Sequence, residues 1–170
     1  MTATQTSTLV GKEAIQRLIE EFYATGVPVK DAKGIDEKSI EACYGVAFNF
    51  YQSGRFSDAL DVFKFLCLIS PYDQKYVLGL AACRQMEKQY KEAIEAYSFA
   101  MVLDCNDPIP PFRAAECHMA MGNMQEALSG FTAAYEWSAG IEIHSTLHGK
   151  SETMMTVLET KLQNKLQTKP

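Results

Sequence analysis

The chain has 170 residues, 47% of them hydrophobic and 11% aromatic, which suits one domain with its own core. Its 16 basic and 21 acidic residues leave a formal net charge of -5, arguing against nucleic acid and anionic membrane surfaces as partners. Five cysteines without a CxxC pair point to reduced thiols and a cytoplasmic protein, and the longest apolar run, near residues 63–69, is broken by Lys64, far short of the ~20 residues a membrane helix needs.

Residues 1–10 are polar, threonine-rich and aperiodic, which predicts a disordered tail; they lack the basic and apolar regions of a signal peptide. Residues 11–25 read as an amphipathic helix, with Ile15, Leu18, Ile19 and Phe22 on one stripe. Gly26 ends it and Pro28 prevents its continuation. The stretch VPVKDAKGID is a linker, and its Asp36 is the expected N-cap of the next helix, so residues 11–39 form an N-terminal helix and linker. Six helices are then predicted near 40–53, 56–69, 74–87, 90–103, 109–121 and 124–137. Asp104 and Asp107 read as turn and cap residues, with Pro108 at the start of the fifth of these helices. A polar stretch follows Gly140, then a helix near 151–166 with the stripe Met154, Met155, Leu158, Leu162 and Leu166. Residues 142–170 are therefore expected to cap the open end, with Lys161, Lys165 and Lys169 on a solvated face.

The six central helices carry a fixed period. Ala59, Ala93 and Ala127 are evenly spaced along the chain. Ala47, Ala81 and Ala115 recur at the same interval, and likewise Phe63, Tyr97 and Phe131, Phe56, Tyr90 and Met124, and Leu60, Ile94 and Leu128. Small residues are needed where two helices cross closely, and an aromatic one turn later fills the space beside the crossing. A period of about 34 residues with this pattern is the signature of the tetratricopeptide repeat, a helical hairpin that stacks on its neighbours. Gly54 and Gly122 mark the turns inside units one and three, where a left-handed conformation is cheap, and Lys88 takes that place in unit two. Pro71 closes unit one, while Cys105 and Ala139 replace it later. The predicted fold is all-α: three repeats over residues 40–141 in a right-handed superhelical stack, with an N-terminal helix and a C-terminal capping helix.

In such hairpins the first helix of each unit faces the groove at its second, fifth, ninth and twelfth positions. These are Glu41, Tyr44, Phe48 and Tyr51 in unit one, Lys75, Leu78, Ala82 and Gln85 in unit two, and Ile109, Phe112, Glu116 and Met119 in unit three. They fall on the face opposite the repeat core columns. An apolar channel of that kind is normally a binding site, and aromatic walls with few polar groups suit an extended peptide with apolar or proline side chains. The two tyrosines add hydroxyls that can bond peptide backbone.

No constellation supports catalysis, and no cofactor is expected. His144 and His148 stand one turn apart without a carboxylate or cysteine at matching spacing, so no metal site is predicted. Cys43, Cys67, Cys83, Cys105 and Cys117 lack a catalytic partner, and Cys83 and Cys117 are themselves one period apart, which makes them repeat positions. A GxxxxGK(S/T) motif is absent, which argues against ATP-driven action.

AFNFYQSGRFSDAL with the following FLC, GLAACRQ at 79–85 and PPFRAAEC at 110–117 resemble the class II chaperones of bacterial type III secretion, over about residues 12–140. KDAKGI at 30–35 is also similar to family members. The resemblance implies a cytoplasmic protein that binds hydrophobic translocator proteins and keeps them soluble and export-competent. Family members hold an extended, proline-containing client segment in the groove, and the matching positions here are Tyr44, Phe48, Tyr51, Leu78, Ala82, Phe112, Glu116 and Met119. They also form dimers, often through the N-terminal helix. The stripe of Ile15, Leu18, Ile19 and Phe22 therefore either forms a homodimer interface or packs on the first repeat. The alternatives are another peptide-binding repeat adaptor or a co-regulator of a transcription activator. A clamp for a terminal carboxylate needs lysine and asparagine on the first helices, whereas Lys75 is nearly the only base in this groove.

Overall fold

A computed structural model describes residues 20, 24, 25, 28, 31 and 34–167. Ile15, Leu18, Ile19 and Phe22 lie outside the described residues, as does the predicted tail at 1–10. Among the described residues seven long helices follow one another: α1 (Glu37–Gln52), α2 (Phe56–Ile69), α3 (Gln74–Met86), α4 (Tyr90–Leu103), α5 (Ile109–Ala120), α6 (Met124–Ser138) and α7 (Ser145–Gln167). A short 3-10 turn, Glu142–His144, joins the last two. None of these helices is long and apolar enough to cross a membrane.

Side chains define where the first helices of the units begin. The Asp36 carboxylate accepts the Ser39 N–H at 3.0 Å, so α1 starts at Glu37, one turn earlier than the repeat columns predict. Asp73 accepts the Lys75 N–H and Asp107 the Ile109 N–H at the starts of α3 and α5. Asp104 accepts the Asn106 N–H within the preceding turn.

The turn inside each unit has one geometry. Gly54, Lys88 and Gly122 all have positive φ, at 75°, 63° and 81°. Arg55, Gln89 and Asn123 each donate their N–H to the carbonyl five residues back, on Phe50, Arg84 and His118. The left-handed residues donate to Tyr51, Gln85 and Met119. This pair of bonds is the Schellman arrangement that satisfies the last carbonyls of a helix. Lys88 makes the same bonds as the glycines and accepts the steric cost of its Cβ.

Helices pack in chain order, each mainly on the next. Ala47, Ala59, Ala81, Ala93, Ala115 and Ala127 are fully buried at the crossings. Phe63, Tyr97 and Phe131 are buried beside them. The core falls into three clusters: the first two each reach into the next unit, through Tyr76 and Cys83 and through Ala114 and Cys117, and the third is completed by α7 through Leu158, Met154, Met155 and Leu147.

The last helix corrects the sequence reading. It begins at Ser145, two turns before the predicted residue 151. Gly149 and the polar run around it conceal these turns, and tertiary contacts hold them. Leu147 packs on the unit-three core. The His148 ring stacks on Tyr135 with centroids 4.1 Å apart, and its Nδ1 lies 3.0 Å from the Tyr135 carbonyl and 3.1 Å from the Ser138 hydroxyl. His148 thus pins α7 to the end of α6.

Candidate functional site

The first helices of the units place their predicted residues along one face, and the structure divides that face into two cavities. The first, of about 380 Å³, is bounded by Tyr44, Phe48 and Tyr51 from α1, by Lys75, Leu78 and Ala82 from α3, and by Ile109 from α5. Phe112, Glu116 and Met119 instead border a second cavity, of about 560 Å³, between unit three and α7. Gln85 borders neither. It sits between them, accepting a hydrogen bond from the Tyr97 hydroxyl at 2.7 Å and donating to Glu116 at 3.1 Å.

Aromatic packing builds the wall of the first cavity. Tyr44 stands at its centre, stacked on Phe48 with centroids 6.3 Å apart, edge-on to Phe63 at 6.1 Å and tilted against Tyr76 at 5.9 Å. These rings fix one another in geometries that aromatic quadrupoles favour. Tyr51 leans edge-on to Phe56 at 5.4 Å, and its half-burial raises the pKa of its hydroxyl, which stays a neutral donor. Phe48 is 46% exposed, so an α1 side chain that does little for the core offers a ring to the cavity. Phe112 is the opposite case: it is only 7% exposed, edge-on to Phe131 at 5.2 Å, and belongs mainly to the unit-three core.

Two charged residues at this site are already engaged. Lys75 Nζ lies 2.8 Å from Glu41, its counterpart one repeat earlier, and 4.3 Å from the centroid of the Tyr44 ring. The hydrogen bond to Glu41 is the main cause raising the Lys75 pKa, which keeps the ammonium charged. Arg113 bonds Glu116 at 3.0 Å on α5. Tyr97, Gln85, Glu116 and Arg113 therefore form one polar chain across the junction of the two cavities.

Five residues that bound the first cavity were not among the predicted groove positions: Phe63, Gln74, Gly79, Tyr97 and Arg113. Phe63 and Tyr97 are repeat-core aromatics that also show a face to the groove. The signal was Gly79, because only a glycine lets the Phe63 ring pack this closely on the α3 backbone: a Cβ there would overlap that ring. The α7 residues around the second cavity had no signal in the repeat pattern, because α7 lies outside it.

Comparison with known proteins places this geometry. A tetratricopeptide-repeat family model matches residues 40–73 and 75–107, the first two units. The low calcium response locus protein H of Yersinia pestis is 37% identical over 146 residues, covering 86% of this chain and 87% of the relative. A crystal structure of the Yersinia enterocolitica type III secretion chaperone SycD, in complex with a peptide of the translocator YopD, is 40% identical, covers 75% of this chain and 97% of that one, and superposes with a TM-score of 0.73. A type III secretion complex from Aeromonas hydrophila is 32% identical, covers 85% of this chain and 97% of that one, and reaches a TM-score of 0.80. A chain with these repeats, this groove and relatives matched over most of their length belongs to the translocator chaperones of type III secretion.

Proposed function

We propose that this protein is a cytoplasmic, non-enzymatic chaperone whose first cavity holds an extended apolar segment of a hydrophobic translocator. The observation that carries the reading is the wall formed by Tyr44, Phe48 and Tyr51 opposite Leu78 and Ala82. The chain spends a half-exposed phenylalanine there, and its cations are occupied by Glu41 and Glu116. Such a surface gains from covering apolar side chains and offers no free charge to a carboxylate clamp. A pore-forming client exposes segments that would aggregate or insert early, and masking them requires neither covalent chemistry nor nucleotide. SycD, in complex with a peptide of YopD, is the relative whose described partner fits this role. By the same kinship the chaperone forms a homodimer, as SycD does.

The test is co-expression with the translocators of the same secretion system, followed by co-purification. Phe48→Ala is the informative variant, because its ring is half-exposed and its loss costs little stability. The expected result is a soluble stoichiometric complex with wild-type protein, at least a tenfold weaker one with Phe48→Ala, and a melting temperature changed by less than about 3 °C. Undiminished binding by Phe48→Ala would remove the first cavity from the site.

A further inference from the structure

We infer that Arg113 and Glu116 form a charge-balanced clip for one carbonyl and one neighbouring N–H of the bound segment, the carbonyl accepting from the guanidinium and the N–H donating to the carboxylate. This rests on the groove reading above and adds to it a polar contact that selects what the segment carries at one position.

The pair is held in place from below. Tyr97 is almost fully buried, and its hydroxyl donates to the oxygen of the Gln85 side-chain amide at 2.7 Å. The nitrogen of that amide donates to Glu116 Oε2 at 3.1 Å, and Arg113 Nη1 donates to the same oxygen at 3.0 Å. Both bonds converge on one carboxylate oxygen. Among the described residues Glu116 Oε1 accepts no hydrogen bond, and Arg113 spends only one of its five N–H donors. Arg113 borders the first cavity and Glu116 the second, and both side chains are partly open to solvent. The unspent donors and the unspent acceptor therefore stand together where the two cavities meet.

A segment lying across that junction takes water from these groups, and each then needs a partner. A carboxylate would satisfy Arg113 but face Glu116, and an ammonium would satisfy Glu116 but face Arg113. A carbonyl beside an N–H carries no net charge and matches both ends. Two sources present that pair on one side. One is the side-chain amide of Asn or Gln. The other is a single residue in extended conformation, whose own N–H and C=O point the same way. A residue that uses its main chain here cannot be proline, so the clip would fix the register of a proline-containing segment.

The probe is the translocator segment that wild-type protein shields from proteolysis in the co-purified complex, synthesised with a fluorescein label and followed by anisotropy. One peptide series carries a backbone N-methyl group at each residue in turn, and a second replaces each Asn or Gln by Leu. Both are measured against wild-type protein, Glu116→Leu and Arg113→Met, with folding verified by circular dichroism. The expected pattern is one peptide change that weakens binding to wild type about tenfold or more but to Glu116→Leu less than about threefold, and about tenfold weaker binding of the unmodified peptide by Arg113→Met. N-methylation as the sensitive change assigns the pair to the main chain, and the Leu replacement assigns it to a side-chain amide. If no single change weakens binding to wild type, or each weakens wild type and Glu116→Leu alike, the clip is overturned; continued weakening by Phe48→Ala then leaves the groove reading standing without it. Tighter binding when the sensitive residue becomes Asp marks Arg113 as a free cation and also overturns the clip. Wild-type affinity in Phe48→Ala overturns the groove reading and the clip with it.

Discussion

Gly45 and Gly79 occupy the same position of consecutive repeats, on α1 and α3, and their replacement by alanine should have opposite signs. A glycine inside a helix costs about 0.5–1 kcal/mol relative to alanine, so each substitution starts with that gain. At Gly45 a Cβ meets nothing within 4 Å, and the gain is kept whole. At Gly79 the Cβ would lie 2.1, 2.3 and 2.6 Å from three carbons of the Phe63 ring. Ordinary carbon contacts are about 3.5–4.0 Å, so the ring must move by more than about 1 Å. Phe63 is only 3% exposed and meets Tyr44 edge-on, so its ring can yield only by disturbing Tyr44 at the edge of the first cavity. Overpacking of this kind costs about 1–3 kcal/mol, and a contact this close belongs at the upper end. Gly79→Ala should therefore be destabilised by about 2 kcal/mol, or roughly 4–8 °C in melting temperature for a chain of this size, while Gly45→Ala should gain roughly 1–4 °C. Thermal and urea unfolding followed by circular dichroism measure both. Phe63→Leu should relieve the clash, so the double variant should be at least about 1 kcal/mol more stable than additivity allows. Gly79→Ala with wild-type stability, or Gly45→Ala below it, would refute the reasoning.

Lys88→Gly should stabilise by about 0.5–1 kcal/mol, because the residue already holds φ at 63° and makes the Schellman bonds; urea midpoints decide this. Burial pushes the thiols of Cys67 and Cys83 up to about 12 and that of Cys117 up to about 11. Their folded pKa values lie above the unfolded value, so their contribution is intact below about pH 9 and is lost as pH rises from there toward 11–12, at about 1.4 kcal/mol per pH unit for each thiol that stays protonated in the fold. Removing the two fully buried thiols with Cys83→Ala and Cys117→Ala should flatten the fall in stability between pH 9 and about 10.5, and an unchanged slope would count against this assignment. Cys105 is exposed, so a thiol reagent at neutral pH should label it first, with Cys83 and Cys117 reacting only on unfolding; peptide mass mapping reads the order.

Most of the repeat architecture was legible because one steric demand recurs three times. Ala47 can cross Ala59 closely only if both are small, and the same holds for Ala81 with Ala93 and Ala115 with Ala127. The turn positions were legible for the same reason, Lys88 included. Helical phase brought Tyr44, Phe48, Tyr51, Leu78 and Ala82 to one cavity. Phase alone could not separate Phe112 from its core or divide the groove, since both depend on side chains of other helices: Phe131 in the first case, Tyr97 and Gln85 in the second. The first two turns of α7 were hidden because their stability is tertiary. Leu147, His148 and Gly149 do not make an amphipathic pattern, but His148 finds Tyr135 and Ser138 ten or more residues away.

The order of helices along the chain also sets an order in time. Every residue bounding the first cavity lies between Tyr44 and Arg113, whereas five of the nine bounding the second lie between Thr146 and Met154. Because each helix packs mainly on the next, folding can follow synthesis from the amino end. All walls of the first cavity can thus be in place while the second still waits for α7.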